Sequence, residues 1–251
     1  MKTGIQVSSF KPVLTTEEAV KTAFARMAAM GCKYVQTQWI DPSVSTEFVG
    51  KTLKETGITS VSVQDFYQTV QAEPDYYLRL NALTGGTWVC VSRIPDRLKT
   101  RPGLDDYISE LRTMNARLEP LGQKLCFHPV SADFAPIDGI DPVAYILDNM
   151  PELGICFDLY HLEKSGRNMI SWLRKYAGRV CMVHFKDSVF HPDGTEELVP
   201  AGQGHIDWTG VVQACVETGA EYAFVEQERW QGDPFERLEE AFRWLKGRID
   251  N

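Results

Sequence analysis

Short, mostly apolar runs recur along the chain and alternate with longer stretches of mixed polarity. The runs cover residues 4–8, 34–38, 60–64, 88–92, 124–127, 155–158, 180–184 and 223–226. Several of them end abruptly in ionisable residues. Runs of this length and character are typical of strands that a parallel sheet buries on both faces. The pattern therefore predicts eight buried strands.

The stretches between the runs have the spacing of amphipathic helices. The predicted helices cover residues 16–30, 45–55, 75–83, 104–118, 142–149, 169–176, 208–217 and 235–246. A glycine follows several of them, as Gly57 follows the second, and a left-handed glycine commonly closes a helix. Eight strand–helix units without a linker predict an α/β fold, a (β/α)8 TIM barrel that forms a single domain over residues 1–251.

An open, doubly wound sheet is the other topology that such an alternation allows. A dinucleotide-binding sheet of that kind would carry a Gly-rich turn directly after its first strand. Here the segment SSFKP at residues 8–12 occupies that position. The absence of this turn, the number of units and the length of the chain favour the closed barrel.

The charge and the length of the apolar runs argue against nucleic-acid and membrane partners. The formal net charge is −8 at pH 7, whereas a nucleic-acid-binding protein needs a basic surface to neutralise phosphates. No apolar run approaches the roughly 18 residues of a membrane span, and no apolar signal region follows the first residues. We therefore expect a cytoplasmic protein without nucleic-acid or membrane partners, and leave open whether it forms a homo-oligomer. The six cysteines lack metal-site or redox spacing, which predicts reduced packing residues.

Four of the predicted strands end in a residue that can bind a cation: His128, Asp158, His184 and Glu226. In a barrel, the carboxyl ends of all strands meet at one mouth, so these residues become neighbours. An ionisable group at the end of a buried strand is costly unless a charged partner receives it. The four strand ends together therefore indicate a metal site.

Four segments in the second half of the chain have a familiar order. FDLYH at residues 157–161, VHFKD at 183–187, AGQGHIDW at 201–208 and VEQE at 225–228 resemble the successive signatures of the xylose isomerase-like barrel superfamily. The resemblance is to its sugar phosphate isomerase/epimerase branch, and it covers the first half of the chain only through the strand–helix rhythm. It implies one divalent metal ion, which is Mn²⁺, Co²⁺, Mg²⁺, Zn²⁺ or Fe²⁺, held by Asp158, His184 and Glu226.

The chain departs from the family at the fifth strand. The segment FHPV at residues 127–130 contains no glutamate, although two-glutamate epimerases use a strand-5 and a strand-8 glutamate as a proton-transfer pair. By resemblance, His128 is then a fourth metal ligand or an acid/base group. Glu226, His128, Lys186 and His161 are the candidate catalytic residues. Lys186 has an alternative role, which is a structural ion pair with Asp187 or Glu228.

Polar side chains at other strand ends suit a polyhydroxylated substrate. Gln36, Gln38, Gln64 and Trp39 lie at or near such ends in the first half of the chain, and we select Gln38 and Gln64 as candidate substrate-binding residues. The resemblance adds three more candidates in the second half, which are His161, His205 and Glu228. Glu228 is expected to orient a metal ligand or His205.

The resemblance predicts a metal-dependent isomerase or epimerase that acts on a small keto-sugar, sugar phosphate or keto-polyol through an enediolate. Because the strand-5 glutamate is missing, an inosose or keto-sugar dehydratase is the alternative. A metal-dependent endonuclease of the same superfamily is disfavoured by the acidic charge and by only five histidines. A barrel that binds a sugar without turnover also remains open.

Overall fold

Eight parallel strands close into a barrel in the computed structural model, which describes residues 1–250. Around the barrel the order is the order of the chain, and the last strand pairs with the first. The barrel strands are β1 Lys2–Gln6, β2 Tyr34–Thr37, β3 Thr59–Phe66, β4 Trp88–Ser92, β5 Lys124–His128, β6 Gly154–Asp158, β7 Val180–Phe185 and β10 Tyr222–Val225. The predicted (β/α)8 TIM barrel is therefore confirmed.

Helices surround the barrel. They are α1 Glu17–Ala29, α2 Thr46–Thr56, α3 Tyr67–Ala72, α4 Pro74–Thr84, α5 Arg101–Leu118, α6 Pro142–Asn149, α7 Leu159–Lys164, α8 Met169–Lys175, α9 Val211–Glu217 and α10 Pro234–Ile249. All eight predicted helices are present, and each predicted strand and helix end lies within three residues of its observed position. The short helices α3 and α7 were not predicted, because each follows its strand without a separating polar segment.

A two-stranded antiparallel ribbon was also not predicted. It consists of β8 Asp187–Phe190 and β9 Glu196–Val199 and lies between β7 and α9. Helix α9 starts three residues later than predicted, because the Asp207 carboxylate accepts a hydrogen bond from the Thr209 N–H and holds a turn there. The ribbon and this turn place an additional layer beside the mouth.

Local side-chain chemistry sets several helix ends. The hydroxyl of Ser45 accepts a hydrogen bond from the Phe48 N–H at the start of α2, and Gly57 closes this helix with φ +70°. The carboxylate of Asp233 caps α10, where Pro234 occupies the first helical position. These are the start and stop signals that the sequence carries.

Two apolar layers hold the fold together. The larger layer lies between the strands and the helices, and the smaller one fills the barrel interior. The interior residues are Val61, Cys90, Cys126, Cys156, Cys181, Met182 and Phe224. All six cysteines are free and buried, which confirms that they are reduced packing residues. These residues fill the barrel below the carboxyl ends of the strands. The mouth of the barrel is therefore closed at its base.

No helix within residues 1–250 combines the length and the apolar character that crossing a bilayer requires.

Candidate active site at the barrel mouth

The barrel brings the four predicted metal-binding residues together. His128, Asp158, His184 and Glu226 are all buried, and one ligand atom from each lies within 4.8 Å of the others. His128 ends β5, Asp158 ends β6, His184 lies in β7, and Glu226 directly follows β10. Parallel strands of matched register end at the same level, so these positions meet although up to 98 residues separate them (226 − 128 = 98).

One ring nitrogen of His184 faces the other cluster members. Its Nδ1 lies 3.2 Å from Glu226 Oε2 and 3.2 Å from His128 Nε2. Its Nε2 lies 2.6 Å from the side-chain oxygen of Gln36 and donates a hydrogen bond to it. A histidine that binds a metal through one nitrogen commonly donates from the other to a carbonyl oxygen, which fixes its tautomer. Gln36 therefore orients His184.

Gln36 is a site residue that the sequence analysis noted but did not select. Its side chain also accepts a hydrogen bond from Gln6 and donates one to Ser62. Nothing in the local sequence distinguishes Gln36 from Gln38 and Gln64. Only the bulge after Val35 and the closure of the barrel direct it toward His184.

The two cluster carboxylates are held by one oxygen each. Asp158 Oδ1 accepts a hydrogen bond from the His161 N–H and so caps α7. Glu226 Oε1 accepts a hydrogen bond of 2.6 Å from the Ser8 hydroxyl. Their second oxygens both face the ammonium group of Lys186, at 3.1 Å in each case. Within the described chain, Asp158 Oδ2 accepts no hydrogen bond.

Lys186 is buried and sits among three carboxylates. Besides Asp158 and Glu226, its Nζ lies 2.6 Å from Glu228 Oε1. Of the two structural partners that the sequence analysis considered, Glu228 is the one that Lys186 contacts. The ammonium group is also within reach of anything that binds between the other two carboxylates, so the geometry permits a catalytic role.

Burial and neighbouring charges shift the pKa values of the site. Burial raises the pKa of Asp158 and of Glu226, but Lys186 and the neighbouring histidines together outweigh this effect, and the pKa of both carboxylates is lowered. Burial lowers the pKa of Lys186, but these carboxylates raise it well above its usual range. Burial also raises the pKa of Glu228, despite Lys186. The two cluster carboxylates and the lysine are therefore charged at neutral pH.

The charges and unpaired atoms of the cluster fit a divalent cation. Three carboxylates face a single ammonium group, so the fully ionised site carries about two uncompensated negative charges when its histidines are neutral. Burial is the main cause of the raised pKa of Glu228, and the neighbouring charge of Glu226 adds to it. Asp158 Oδ2 and His128 Nδ1 are buried without hydrogen-bond partners among the described residues. Mixed imidazole and carboxylate donors suit Zn²⁺, Mn²⁺ or Fe²⁺.

Two histidines lie close to the second carboxylate oxygen of Asp158. His128 Nε2 lies 4.0 Å from Asp158 Oδ2, and His161 Nε2 lies 3.7 Å from the same oxygen. Burial lowers the pKa of His128, and it lowers the pKa of His161 to about 3. Both rings are therefore neutral at pH 7 and each offers a lone pair to a ligand.

His205 is not brought into the cluster. Its Nδ1 donates a hydrogen bond of 2.7 Å to the Ser188 carbonyl, and its ring packs against Phe190 at 5.0 Å. Its Nε2 faces Glu163 at 3.5 Å. Within residues 1–250, Glu228 pairs with Lys186 and forms no hydrogen bond or ion pair with His205. Of the two expected roles of Glu228, the orientation of His205 does not occur, and the orientation of a metal ligand stays a prediction.

Gln38 and Gln64 lie beside a large cavity on the β1–β3 side of the mouth. The cavity has a volume of about 790 Å³, and Trp39 forms part of its wall. The side-chain oxygens of both glutamines are buried without hydrogen-bond partners in the described chain. Trp39 has a left-handed backbone with φ +56° and donates from its indole to Asp65. The placement is compatible with the expected role in substrate binding.

Asp187 anchors the AGQGHIDW segment. Its buried carboxylate accepts five hydrogen bonds, from the N–H groups of Ser188, Gly202, Gly204 and Ile206 and from the Trp208 indole. A Cβ on Gly204 would lie 2.0 Å from Asp187 Oδ1, so only glycine fits there. The signature thus fixes the ribbon beside the mouth, and Asp187 has no role in the cluster.

An α/β barrel with a buried His/Asp/His/Glu cluster at its mouth defines a class of barrel proteins with a candidate metal site. The sequence identifies the family within it: residues 14–248 match the xylose isomerase-like TIM barrel family, and the chain belongs to this family. No protein with a curated description matches the sequence significantly.

Solved structures with the same fold have low sequence identity. A sugar phosphate isomerase/epimerase from Parabacteroides distasonis has a TM-score of 0.79 at 15% identity, over 98% of this chain and 93% of that one. The IolI protein with a bound zinc atom has a TM-score of 0.74 at 17% identity, over 100% and 97%. A probable 3-DHS dehydratase from Bacillus anthracis has a TM-score of 0.74 at 13% identity, over 99% and 100%.

Proposed function

We propose that the protein is a divalent-metal-dependent isomerase or epimerase of a small keto-sugar, sugar phosphate or keto-polyol. The observation that carries this proposal is the buried cluster in which Glu226 lies 3.1 Å from Lys186 and 3.2 Å from His184. A carboxylate beside an ammonium group in a buried site is a pair through which a proton can be taken up and passed on. The structural similarity to a sugar phosphate isomerase/epimerase is consistent with it.

Asp158, His184 and Glu226 would hold the metal ion, with His128 as the fourth ligand. The zinc atom in the similar IolI structure supports a metal in a barrel of this shape. When bound, a divalent ion supplies electrostatic stabilisation of the negative charge that develops on the substrate oxygens. The same ion would balance the two excess negative charges of the cluster.

Glu226 is the base of this proposal. The Ser8 hydroxyl donates a hydrogen bond to its Oε1, and its Oε2 lies 3.1 Å from Lys186 Nζ. Glu226 removes the proton from the carbon next to the substrate carbonyl. Lys186 returns a proton either to the other face of the same carbon, which gives the epimer, or to the former carbonyl carbon, which gives the isomer once the adjacent hydroxyl proton has passed to the former carbonyl oxygen. His161, which is neutral and faces the cluster, donates or accepts a hydrogen bond from a substrate hydroxyl.

Proton exchange tests this assignment. In D₂O, the wild-type protein with a divalent ion should incorporate deuterium at the α-carbon of an accepted keto-sugar, as followed by NMR. Glu226→Gln should abolish the exchange. Glu221→Gln is the matched control, because Glu221 lies at the opposite end of the same strand, where it pairs with Lys2. Full exchange by Glu226→Gln would overturn the assignment, and ligand binding without any exchange by the wild type would support a non-catalytic sugar-binding barrel.

A keto-sugar dehydratase is the second candidate, and the absence of a glutamate at the end of β5 favours it. His128 occupies that position, so the mouth lacks a second carboxylate base opposite Glu226. Removal of an α-proton and loss of a β-hydroxyl need only one base and one acid. A dehydratase would generate a conjugated product with new ultraviolet absorbance. Absorbance without isomerised product would favour this candidate, and isomer without absorbance would exclude it.

A further inference from the structure

A second cavity adjoins the cluster on the β4–β5 side of the mouth. It has a volume of about 340 Å³, within the usual range for small-molecule sites, and its wall includes His161, Arg93, Lys99 and Ser131. The His161 ring connects the two places, because its Nε2 faces Asp158 and its Nδ1 is buried without a partner in the described chain. A ligand that reaches the cluster can therefore extend past His161 into this cavity.

Arg93 is the free cation of this cavity. Among residues 1–250, no carboxylate lies within 4.0 Å of its guanidinium group, whereas Arg97, four residues further on, pairs with Glu110 at 2.7 Å. The wall charges are Arg93 and Lys99 against Asp96, which pairs with Lys99 at 2.9 Å. Lys99 also lies 3.5 Å from Asp133, so both carboxylates pair with Lys99, and Arg93 is the wall cation without an ion pair within residues 1–250. The formal net charge of the protein is −8.

The backbone and a neighbouring ring hold Arg93 in place. Its φ of +65° is left-handed, which is unfavourable for a residue with a side chain. The Arg93 N–H donates to the His128 carbonyl, and the Tyr107 hydroxyl donates to the Arg93 carbonyl, so both peptide groups are fixed. The guanidinium group lies over the Phe66 ring, 4.7 Å from its centre. An arginine that is ordered in this way loses little freedom when it binds an anion.

We infer that the substrate is anionic, and that Arg93 binds a carboxylate or phosphate at the end of the molecule distant from the reacting carbonyl. Lys99 is held by Asp96 and Asp133 and adds no net charge. The Ser131 hydroxyl, which has no hydrogen bond within the described chain, is a further donor on the same wall. The inference rests on the proposed function for the orientation of the substrate. It narrows the substrate class to sugar acids or sugar phosphates.

Equilibrium binding tests the inference without turnover. The full chain is titrated calorimetrically, at fixed ionic strength, with neutral D-fructose, D-fructose 6-phosphate, 5-keto-D-gluconate and inorganic phosphate. Arg93→Gly removes the charge and relieves the left-handed strain, so this variant should fold at least as well as wild type, as judged by its melting temperature. Arg97→Ala is the charge-matched control outside the cavity.

Arg93→Gly should weaken binding of an anionic probe by about 10–100-fold and leave D-fructose unaffected, while Arg97→Ala behaves as wild type. A larger loss with the phosphate ester than with the carboxylate would identify phosphate as the anion, and the reverse would identify carboxylate. Equal affinity of wild type and Arg93→Gly for every anionic probe, or no Arg93-dependent binding at all, would overturn the inference. Deuterium exchange into D-fructose together with either result would leave the enolising function intact. Arg93-dependent anion binding without exchange of any probe would instead retain the anion site and contradict the enolising function.

Discussion

Single side chains at the barrel mouth have two functions at once, as Asp158 shows. Asp158 caps α7 through Oδ1 and presents Oδ2 to Lys186 and the two histidines. Asp158 is thus a helix cap and a candidate metal ligand at once, because each function uses a different carboxylate oxygen. Because one oxygen is fixed by the backbone, the other has a defined direction. This is the positional precision that a metal site needs.

The first prediction concerns the metal ligands. Replacing Asp158, His184 or Glu226 by Ala removes one donor, and the two carboxylate replacements also remove a negative charge that attracts the ion. Each variant should therefore lose most of the roughly one equivalent of divalent metal that the wild type retains. Elemental analysis after gel filtration measures the content. His191→Ala is the control, because His191 is exposed on the ribbon and pairs with Glu197. Stoichiometric metal in all three variants would refute the ligand assignment.

The second prediction concerns the orientation of His184 by Gln36. Gln36→Leu removes the acceptor for His184 Nε2, so the affinity for a divalent ion should fall about 10–100-fold, the usual effect of losing such a partner. Gln36→Glu keeps an acceptor and should preserve the affinity. Competition with a fluorescent chelator measures both. Equal affinity in wild type and Gln36→Leu would show that the 2.6 Å contact has no part in metal binding.

At the scale of elements, the segment from β7 to α9 depends on one buried side chain. Asp187 starts β8, and its five hydrogen bonds tie this strand to the turn that precedes α9. An adjacent lysine, Lys186, points instead into the cluster. Lys186 lies between the end of β7 and the start of β8. The signature VHFKD therefore contributes His184 and Lys186 to the site and Asp187 to the scaffold.

The third prediction follows from this anchor. Asp187→Asn places an amide N–H₂ against backbone N–H groups that the carboxylate now accepts from. The free energy of unfolding should therefore fall by about 2–4 kcal/mol, which is the usual cost of removing a charged acceptor from several buried donors. Urea denaturation measures the loss, and limited proteolysis should cut within residues 200–208. Asp193→Asn, at the exposed tip of the ribbon, should have no measurable effect. Similar stability of the two variants would contradict the anchoring role.

At the scale of the whole molecule, the six cysteines report on the barrel as a unit. Four line its interior, and burial raises the pKa of Cys32 and of Cys215, outside it, to about 12. Only the thiolate reacts with a disulfide reagent, and at pH 8 a thiol with that pKa is ionised in about one molecule in 10⁴. All six thiols are buried, so a disulfide reagent reaches them only when the structure opens.

The fourth prediction is that Ellman's reagent at pH 8 titrates six thiols in denaturant and almost none in the native protein. Leu121→Cys, at a position with 57% exposure, should add one thiol that reacts at once. We also propose that residues 1–251 form the single domain that the sequence predicts. In that case, all six native thiols become reactive at one common rate. Separate fast and slow groups would contradict the single cooperative domain.

The sequence by itself determined the order and the approximate bounds of the eight strand–helix units. It also determined which residue stands at the end of each strand. These features depend on local periodicity, caps and glycines, which act over a few residues. For this reason His128, Asp158, His184 and Glu226 could be named together before their geometry was known, since a parallel barrel gathers its strand ends in one place.

Only the tertiary structure decided which polar side chains meet. The contact between Gln36 and His184 joins residues 148 positions apart, and the convergence of three carboxylates on Lys186 depends on the register of β6, β7 and β10. Arg93 is an ordinary charged residue in the sequence, and its free guanidinium beside His161 follows from the turn after β4. Such contacts depend on barrel closure, register and loop conformation, which no local pattern encodes.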